Sequence, residues 1–485
     1  MLRVNVLFPS GSGEILSLPE HSKVGDLRIL AQKTFGKGFL KFVTAEGHVL
    51  SNPEESLQAA GVRDGERLTV VVQEVQVAAT RRAFAVWCSG GNRVVTWGDP
   101  THGGVLPAEL RNVRQIQATG GAFAAILADG AVVAWGGPRY GGDCSAVQDQ
   151  LKNVQQLQAT YCAFAAILAD GSVLAWGSPD HGGDCSAVQD QLRNVQQIQA
   201  TYGAFAAILA DGSVISWGQP QWGGDCSAVQ DQLRNVKEIQ ASEIGSFAAI
   251  LADKSVVAWG NDQGGGDCSA VQDRLRNVQQ IQATATGAFA AILADGSVVA
   301  WGNPDFGGDC AEVQDRLKNV RQIQATGWAF AAILADGSVV SWGSPDHGGD
   351  CSAVQEQLRN VQHIQAASVG AFAAILADRS VVAWGRAGWG GDSSAVQGQL
   401  RNVQEIQAAA GAFAAILVDG SVVAWGNEHE GGNCSAVQDQ LRNVQQLHAT
   451  DQAFAAILAD GSVVTWGHPE KGGDCSAVQH QLGYL

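Results

Sequence analysis

Ten cysteines, ten histidines and a set of recurring aspartates are the side chains of this 485-residue chain best suited to chemistry, so their spacing comes first. Eight cysteines (Cys144, Cys185, Cys226, Cys268, Cys310, Cys351, Cys434 and Cys475) stand in one context, Gly-Gly-Asp/Asn-Cys, and no Cys-x-x-Cys pair occurs. A structural zinc site or a disulfide framework requires cysteines that pair, and here the spacing is that of a copied unit. At Ser393 the unit carries a hydroxyl instead, which neither a required bridge nor a zinc ligand set tolerates. Free, packed thiols in a reducing compartment are expected, with no metal and no cofactor. The histidines are scattered through loops, without a nucleophile elbow, and no Gly-x-x-x-x-Gly-Lys-Ser/Thr phosphate loop is present. Turn formation and helix capping explain the recurring aspartates better than calcium does. No catalytic constellation remains, so the chain is expected not to be an enzyme.

The element that positions all of these residues is a repeat. Trp-Gly recurs at Trp97, Trp135, Trp176, Trp217, Trp259, Trp301, Trp342, Trp384, Trp425 and Trp466, with Phe84, Phe123, Phe164, Phe205, Phe247, Phe289, Phe330, Phe372, Phe413 and Phe454 in step. Ten units of about 41 residues fill 75–485, a period that indicates a solenoid, a propeller or a helical array. Within the unit from Val113 to Asn153, two apolar runs flank Asp129-Gly130, a strong hairpin signal because that dipeptide accepts the positive φ of tight turns. Lys254 and Arg379 take the glycine position in two units, which leaves the turn type there open. A helix capped by the Gly-Gly-Asp acid is expected over 145–151, with Val147, Leu151 and Val154 on its apolar side. Each unit thus reads as a three-stranded antiparallel sheet plus a loop. Strands apolar on both faces must be covered on both, which radial stacking into a β-propeller achieves, a β-solenoid being the other arrangement. The repeated tryptophans are expected to be core between the sheets.

Composition agrees with a folded chain: 46% of residues are hydrophobic and 16% charged, too apolar for disorder. Thirty Lys and Arg against 47 Asp and Glu give a net charge of −17, which repels phosphate backbones, so no nucleic-acid partner is expected. No apolar run approaches the roughly 18 to 20 residues of a bilayer span, and the first residues lack the pattern of a signal peptide. A cytoplasmic location, with the nucleus possible, and no membrane partner are expected.

The units resemble the regulator of chromosome condensation repeats, through Ala-Phe-Ala-Ala-Ile-Leu-Ala-Asp-Gly-Ser-Val-Val-Ala-Trp-Gly, then Gly-Gly, Leu-Arg-Asn-Val and Ile-Gln-Ala. That resemblance implies a propeller of about seven blades, against ten shorter units here. It also implies Gly-His before the Phe, where this chain has Gly-Ala or Cys-Ala. Residues 1–74 lack the repeat. Val4, Val6 and Phe8 alternate in a first strand, Gly11 to Gly13 suit a hairpin, and a helix starts near 22–24 and stops at Gly36, with Leu27, Leu30 and Ala31 on one face. Further strands over 39–43, 48–50 and 68–72 complete a small α+β module. It resembles ubiquitin-like (β-grasp) domains, through Leu40-Lys41-Phe42-Val43, Val49-Leu50, Glu55-Ser56-Leu57, Gly61-Val62 and 66–72. The resemblance implies an apolar recognition patch near Val43 and Val71; without a Gly-Gly after Val72, conjugation is not expected. Ligases that carry this propeller type need a further catalytic module. Only Gly483, Tyr484 and Leu485 follow the last repeat, so no ligase activity is expected.

Function is expected where the units differ. Two segments vary, one before the Phe and one after Trp-Gly, and the up-and-down order of the strands puts both on one face. The second carries His102, Tyr140, His181, Trp222, Phe306, His347, Trp389 and His429; the first carries Tyr161, Tyr202 and Trp328. Aromatics gathered on one face suit a protein partner. The expected function is a protein-interaction scaffold, linked to ubiquitin-pathway components through residues 1–74. The alternatives are a guanine-nucleotide exchange factor for a small GTPase and a carbohydrate-binding propeller.

Overall fold

A computed structural model of the chain describes residues 1–50, 52–88 and 93–482. Gly483, Tyr484 and Leu485, noted above after the last repeat, lie outside the described residues. The first module contains β1 (Leu2–Leu7), β2 (Gly13–Leu18), α1 (Val24–Phe35), β3 (Leu40–Val43), β4 (Val49–Leu50) and β5 (Arg67–Val72). They form one mixed sheet in the order β2-β1-β5-β3-β4, with β1 and β5 parallel and the other pairs antiparallel. Alternation decides which face is covered. Val4, Val6, Phe42, Leu68 and Val70 are buried with Leu27 and Ala31 of α1, while Lys41, Val43, Thr69 and Val71 point to the other face. The helix ends where sequence predicts, on Gly36 with φ 58°.

From Val75 onward the chain folds into ten three-stranded antiparallel meanders: 75–98, 113–136, 154–177, 195–218, 236–260, 278–302, 320–343, 361–385, 403–426 and 444–467. We number these sheets as blades 1 to 10. The Asp-Gly turns form because the aspartate caps its own turn: Asp170 Oδ1 accepts from the Ser172 amide at 2.9 Å and hydroxyl at 2.6 Å. The glycine then takes a left-handed φ, and Lys254 (φ 68°) and Arg379 (φ 64°) adopt the same conformation in their blades, so the turn type does not change there. The segment after Gly-Gly-Asp is shorter than the expected helix. In blade 3 it is a single 3₁₀ turn, Ser186–Val188, and over 145–151 the backbone only turns, because the chain must dive inward at once to bury Leu151. The expected cap is present, with Asp143 Oδ1 accepting from Ser145 N at 2.9 Å.

The blades stack face to face in the manner of a β-propeller. Each repeated Phe stacks on the Trp of its own blade at 5.1 to 5.3 Å between centroids. Each Trp indole N–H reaches back to a glycine carbonyl in the loop of the preceding blade, as Trp135 does to Gly103 at 3.1 Å. Gly141 shows why that loop needs glycine: its φ is 87°, and a methyl there would lie 2.8 Å from the Phe164 ring. The stack closes on itself. Trp97 of blade 1 donates to Gly472 O, after blade 10, at 3.0 Å, 375 residues away in sequence. All ten cysteines are buried and free, as expected of packed thiols. Among the described residues no group of three or more His, Cys, Asp or Glu could hold a metal ion, and no helix is long and apolar enough to cross a membrane.

Candidate functional site

The first strand of each blade lines a central channel, and a turn follows it that carries the first variable segment. A threonine ending that strand fixes the turn and joins it to the second variable segment. Thr201 Oγ1 accepts from Ala204 N at 3.1 Å and donates to Trp222 O at 2.8 Å. Thr80, Thr119, Thr160, Thr326 and Thr450 donate in the same way to His102, Tyr140, His181, His347 and Lys471. Both variable segments therefore meet on one face, as the strand order predicts, with the Asp-Gly turns at the opposite end.

Next to the threonines the ring is drawn together by a belt of backbone hydrogen bonds, one per blade. Arg81 donates to Gly120, Gly120 to Tyr161, Tyr161 to Tyr202 and Tyr202 to Glu243. The series continues through Ile244 to Ala285, Thr286 to Gly327, Gly327 to Ser368, Val369 to Ala410, Ala410 to Asp451, and Asp451 back to Arg81. This belt satisfies main-chain groups that would otherwise crowd the channel rim unpaired, and it sets the side chains of the first segment around the mouth.

On blades 1 to 4 those side chains form a continuous aromatic arc. His102 lies 5.5 Å from Tyr140, Tyr140 meets Tyr161 edge-on at 5.6 Å, Tyr161 stacks on Tyr202 at 4.4 Å, and Tyr202 stacks on Trp222 at 4.8 Å. His181 leans on Tyr202 at 5.5 Å. Arg81 lies over the Tyr161 ring at 4.6 Å, a cation–π contact, and pairs with Asp451 at 3.4 Å across the ring seam. Crowding at the mouth pushes the Asp451 and Glu243 carboxyls above their ordinary range, and Arg81 pulls both back. Burial lowers His102, His181 and His347, which favours neutral imidazoles. Beside the arc, Arg81, Ser368, Ala410 and Asp451 line a cavity of about 360 Å³ in the channel mouth.

The sequence-predicted residues do not all join this arc. His102, Tyr140, His181 and Trp222 do. Phe306 is half-buried against the blade 6 and 7 core and belongs to the packing. His347 pairs with Trp328 at 4.6 Å as a separate couple, and Trp389 carries Arg386 over its ring at 5.1 Å. His429 is exposed in the middle of the turn Glu428–Glu430, apart from the arc, and Glu430 occupies the position that His347 and Trp389 hold in their blades. The Glu430 carboxyl is buried with Oε2 unpartnered, and burial raises its pKa. In the first module Val43 is half-buried and Val71 is 40% exposed, on the sheet face away from α1. Sequence reasoning missed Arg81, Glu243, Asp451 and Glu430. The first three directly follow the threonine or serine that ends the first strand, so the position after that residue is the signal that marks them in the sequence.

No family model matches the chain, and no curated protein matches it. Among solved structures it is similar to Prp20p from Saccharomyces cerevisiae, whose description names binding to Gsp1p and histones; the identity is 18%, 57% of this chain and 82% of that chain are covered, and the TM-score is 0.32. It is similar to human WBSCR16 at 16% identity, with 57% and 77% covered and a TM-score of 0.32. A third likeness is to an N-terminal ubiquitin-like domain solved in solution, at 25% identity, with 15% and 75% covered and a TM-score of 0.14. The architecture described above rests on this chain's own sheets and hydrogen bonds.

Proposed function

We propose that this chain is a non-enzymatic interaction scaffold whose channel-mouth face binds a protein partner. A single observation carries the reading: units that are otherwise near-identical diverge on one face, where Tyr161, Tyr202 and Trp222 form one stack with Arg81 laid over it. Rigid aromatics and arginine on a preformed surface are the residue types that dominate binding energy at protein interfaces. The N-terminal module is a ubiquitin-like, β-grasp domain in this reading. Its open sheet face, with Val43 and Val71 beside the exposed Val49, docks the scaffold to ubiquitin-pathway machinery.

The test uses the full chain. Partners recovered by affinity purification are quantified for the natural protein and for Tyr202→Ala and Trp222→Ala, each expected to weaken a channel-mouth partner by about tenfold or more. Equal recovery of every partner by all three proteins would refute the assignment of this face. A panel of small GTPases tests the exchange-factor reading, because clear acceleration of nucleotide release would overturn a scaffold-only role.

A further inference from the structure

Blades 3 to 10 are each joined to the blade before in the same way, and the junction of blade 1 with blade 10 differs. In blades 2 to 10 the first strand is preceded by an asparagine in the left-handed conformation, from Asn112 to Asn443, with φ between 55° and 58°. From Asn153 onward that asparagine packs under the hairpin turn of the preceding blade. A methyl placed on Gly130 would lie 2.7 Å from Asn153 Cα, one on Gly212 2.7 Å from Asn235 Cα, and one on Gly420 2.7 Å from Asn443 Cα. The valine after it then donates to the turn carbonyl, as Val154 does to Gly130 O at 2.9 Å. The backbone of each of blades 3 to 10 is thus buttoned to the turn of the one before.

Blade 1 has no such asparagine, since Glu74 precedes Val75. The turn of blade 10, Asp460-Gly461, would be left uncovered at the seam. Residues of the N-terminal module stand there instead. A methyl placed on Gly461 would lie 2.9 Å from Gly38 Cα and 3.2 Å from Phe39 N, with Gln32 of α1 alongside. Phe39 takes φ 53°, the conformation of the nine asparagines, at a cost that a bulky residue bears only where packing enforces it. Its side chain is buried in the cluster that holds the seam, with Val75, Phe84, Ile457 and Leu482. At the opposite face the belt is longest around blade 1, 3.4 Å from Arg81 to Gly120 and 3.3 Å from Asp451 to Arg81, against 2.8 to 3.1 Å elsewhere. The belt is thus longer on both sides of blade 1 than elsewhere, and the module sits under the junction of blade 1 with blade 10.

We infer that the seam is a docking site for the chain's own N-terminal module, and that Gly38-Phe39 acts as the button of this junction, holding blades 1 and 10 closed. This goes beyond the scaffold reading and does not depend on any partner. It also fixes geometry: docking uses the α1 side of the module, so the face carrying Val43 and Val71 points away from the ring.

Gly38→Val tests the docking cleanly. The three atoms nearest a Cβ at Gly38, at 2.4 to 3.0 Å, all belong to Asp460 and Gly461, so the substitution clashes first with blade 10. Hydrogen exchange of the full-length protein is read by mass spectrometry. The expected result is exchange faster by at least about tenfold in the strands of blades 1 and 10. Blades 4 to 6 and the β1 and β5 strands of the module should be unchanged. Unchanged protection at the seam, or equal loss in all ten blades, would overturn the inference. Should Gly38→Val not yield folded protein, Gly38→Ala, with one methyl, and Phe39→Ala, which removes only the buried ring, are read by the same criteria.

Discussion

Thr201→Val isolates the bond that holds the aromatic arc in place. Valine matches threonine in shape and exchanges a hydroxyl for a methyl. In the natural protein Thr201 Oγ1 donates to Trp222 O at 2.8 Å and accepts from Ala204 N at 3.1 Å, and Thr201 itself is 5% exposed. Losing the hydroxyl leaves a carbonyl and an amide without these partners in a nearly dry site. One net hydrogen bond contributes about 1 kcal/mol, and a stranded buried group costs about 1 to 3 kcal/mol, so the Trp222 loop should be less stable by about 1 to 3 kcal/mol. Local opening converts this directly to hydrogen exchange, about 5-fold to 150-fold faster. The amides to follow are Trp222, Gly223 and Gly224, which close the loop onto Gln219 and Pro220 at 2.9 to 3.0 Å. Thr160→Val serves as the matched control and should loosen the loop of His181 instead. Blades 8 and 9 carry Ala367 and Ala409 at this position, so the fold accepts the loss and the variant should remain folded. Protection changed by less than about twofold at 222–224 would refute the claim that the threonine couples the two variable segments.

Four further outcomes follow. Burial pushes the Cys88 thiol up to about 12 and Cys162 up to about 11, so both should resist alkylation at pH 8 until the protein unfolds; rapid labelling of the native protein would contradict this. Cys226→Ser should shift the unfolding midpoint little, under about 1 kcal/mol, because Ser393 already fills the equivalent position and donates to Gln397 Oε1 at 3.0 Å. His448 stands where other blades place Gln117 or Gln158, and burial lowers its pKa to about 4. Because the folded value lies below that of the unfolded chain, near 6.5, protons favour the unfolded state, so its contribution is intact above about pH 6.5 and is lost as pH falls to about 4. Over that window the loss is at most about 3 kcal/mol, and His448→Gln should flatten it in acid titrations followed by circular dichroism; an identical acid limb in both proteins would exclude the effect. Lys254→Gly and Arg379→Gly should each stabilise their blades by about 0.5 to 1 kcal/mol, since both residues hold a left-handed φ that glycine adopts without strain. A lowered melting temperature would show that their side chains matter more than their backbones.

Much of the ring was legible because its determinants are local. Asp129-Gly130 specifies a hairpin, the apolar runs beside it specify strands covered on both faces, and the order of three strands places both variable segments on one side. The same reasoning failed where neighbours in space set the outcome. The helix expected over 145–151 shrinks to turns because Leu151 is pulled into the core. By residue type His429 matches His347, yet the loop geometry gives the place of His347 to Glu430. Phe306 read as a surface aromatic, whereas packing between blades 6 and 7 half-buries it.

Sequence by itself therefore determined the unit, its turns, its buried Phe and Trp, and the face that carries variation, since each depends on residues a few positions apart. Tertiary structure alone decided that ten units close, that Arg81 meets Asp451 from the far end of the chain, and that Gly38 and Phe39 sit under the Asp460-Gly461 turn. Closure depends on the small angle each blade adds, summed over ten contacts. No single unit encodes that sum, so the seam and whatever covers it become visible only when the first and last blades are brought together.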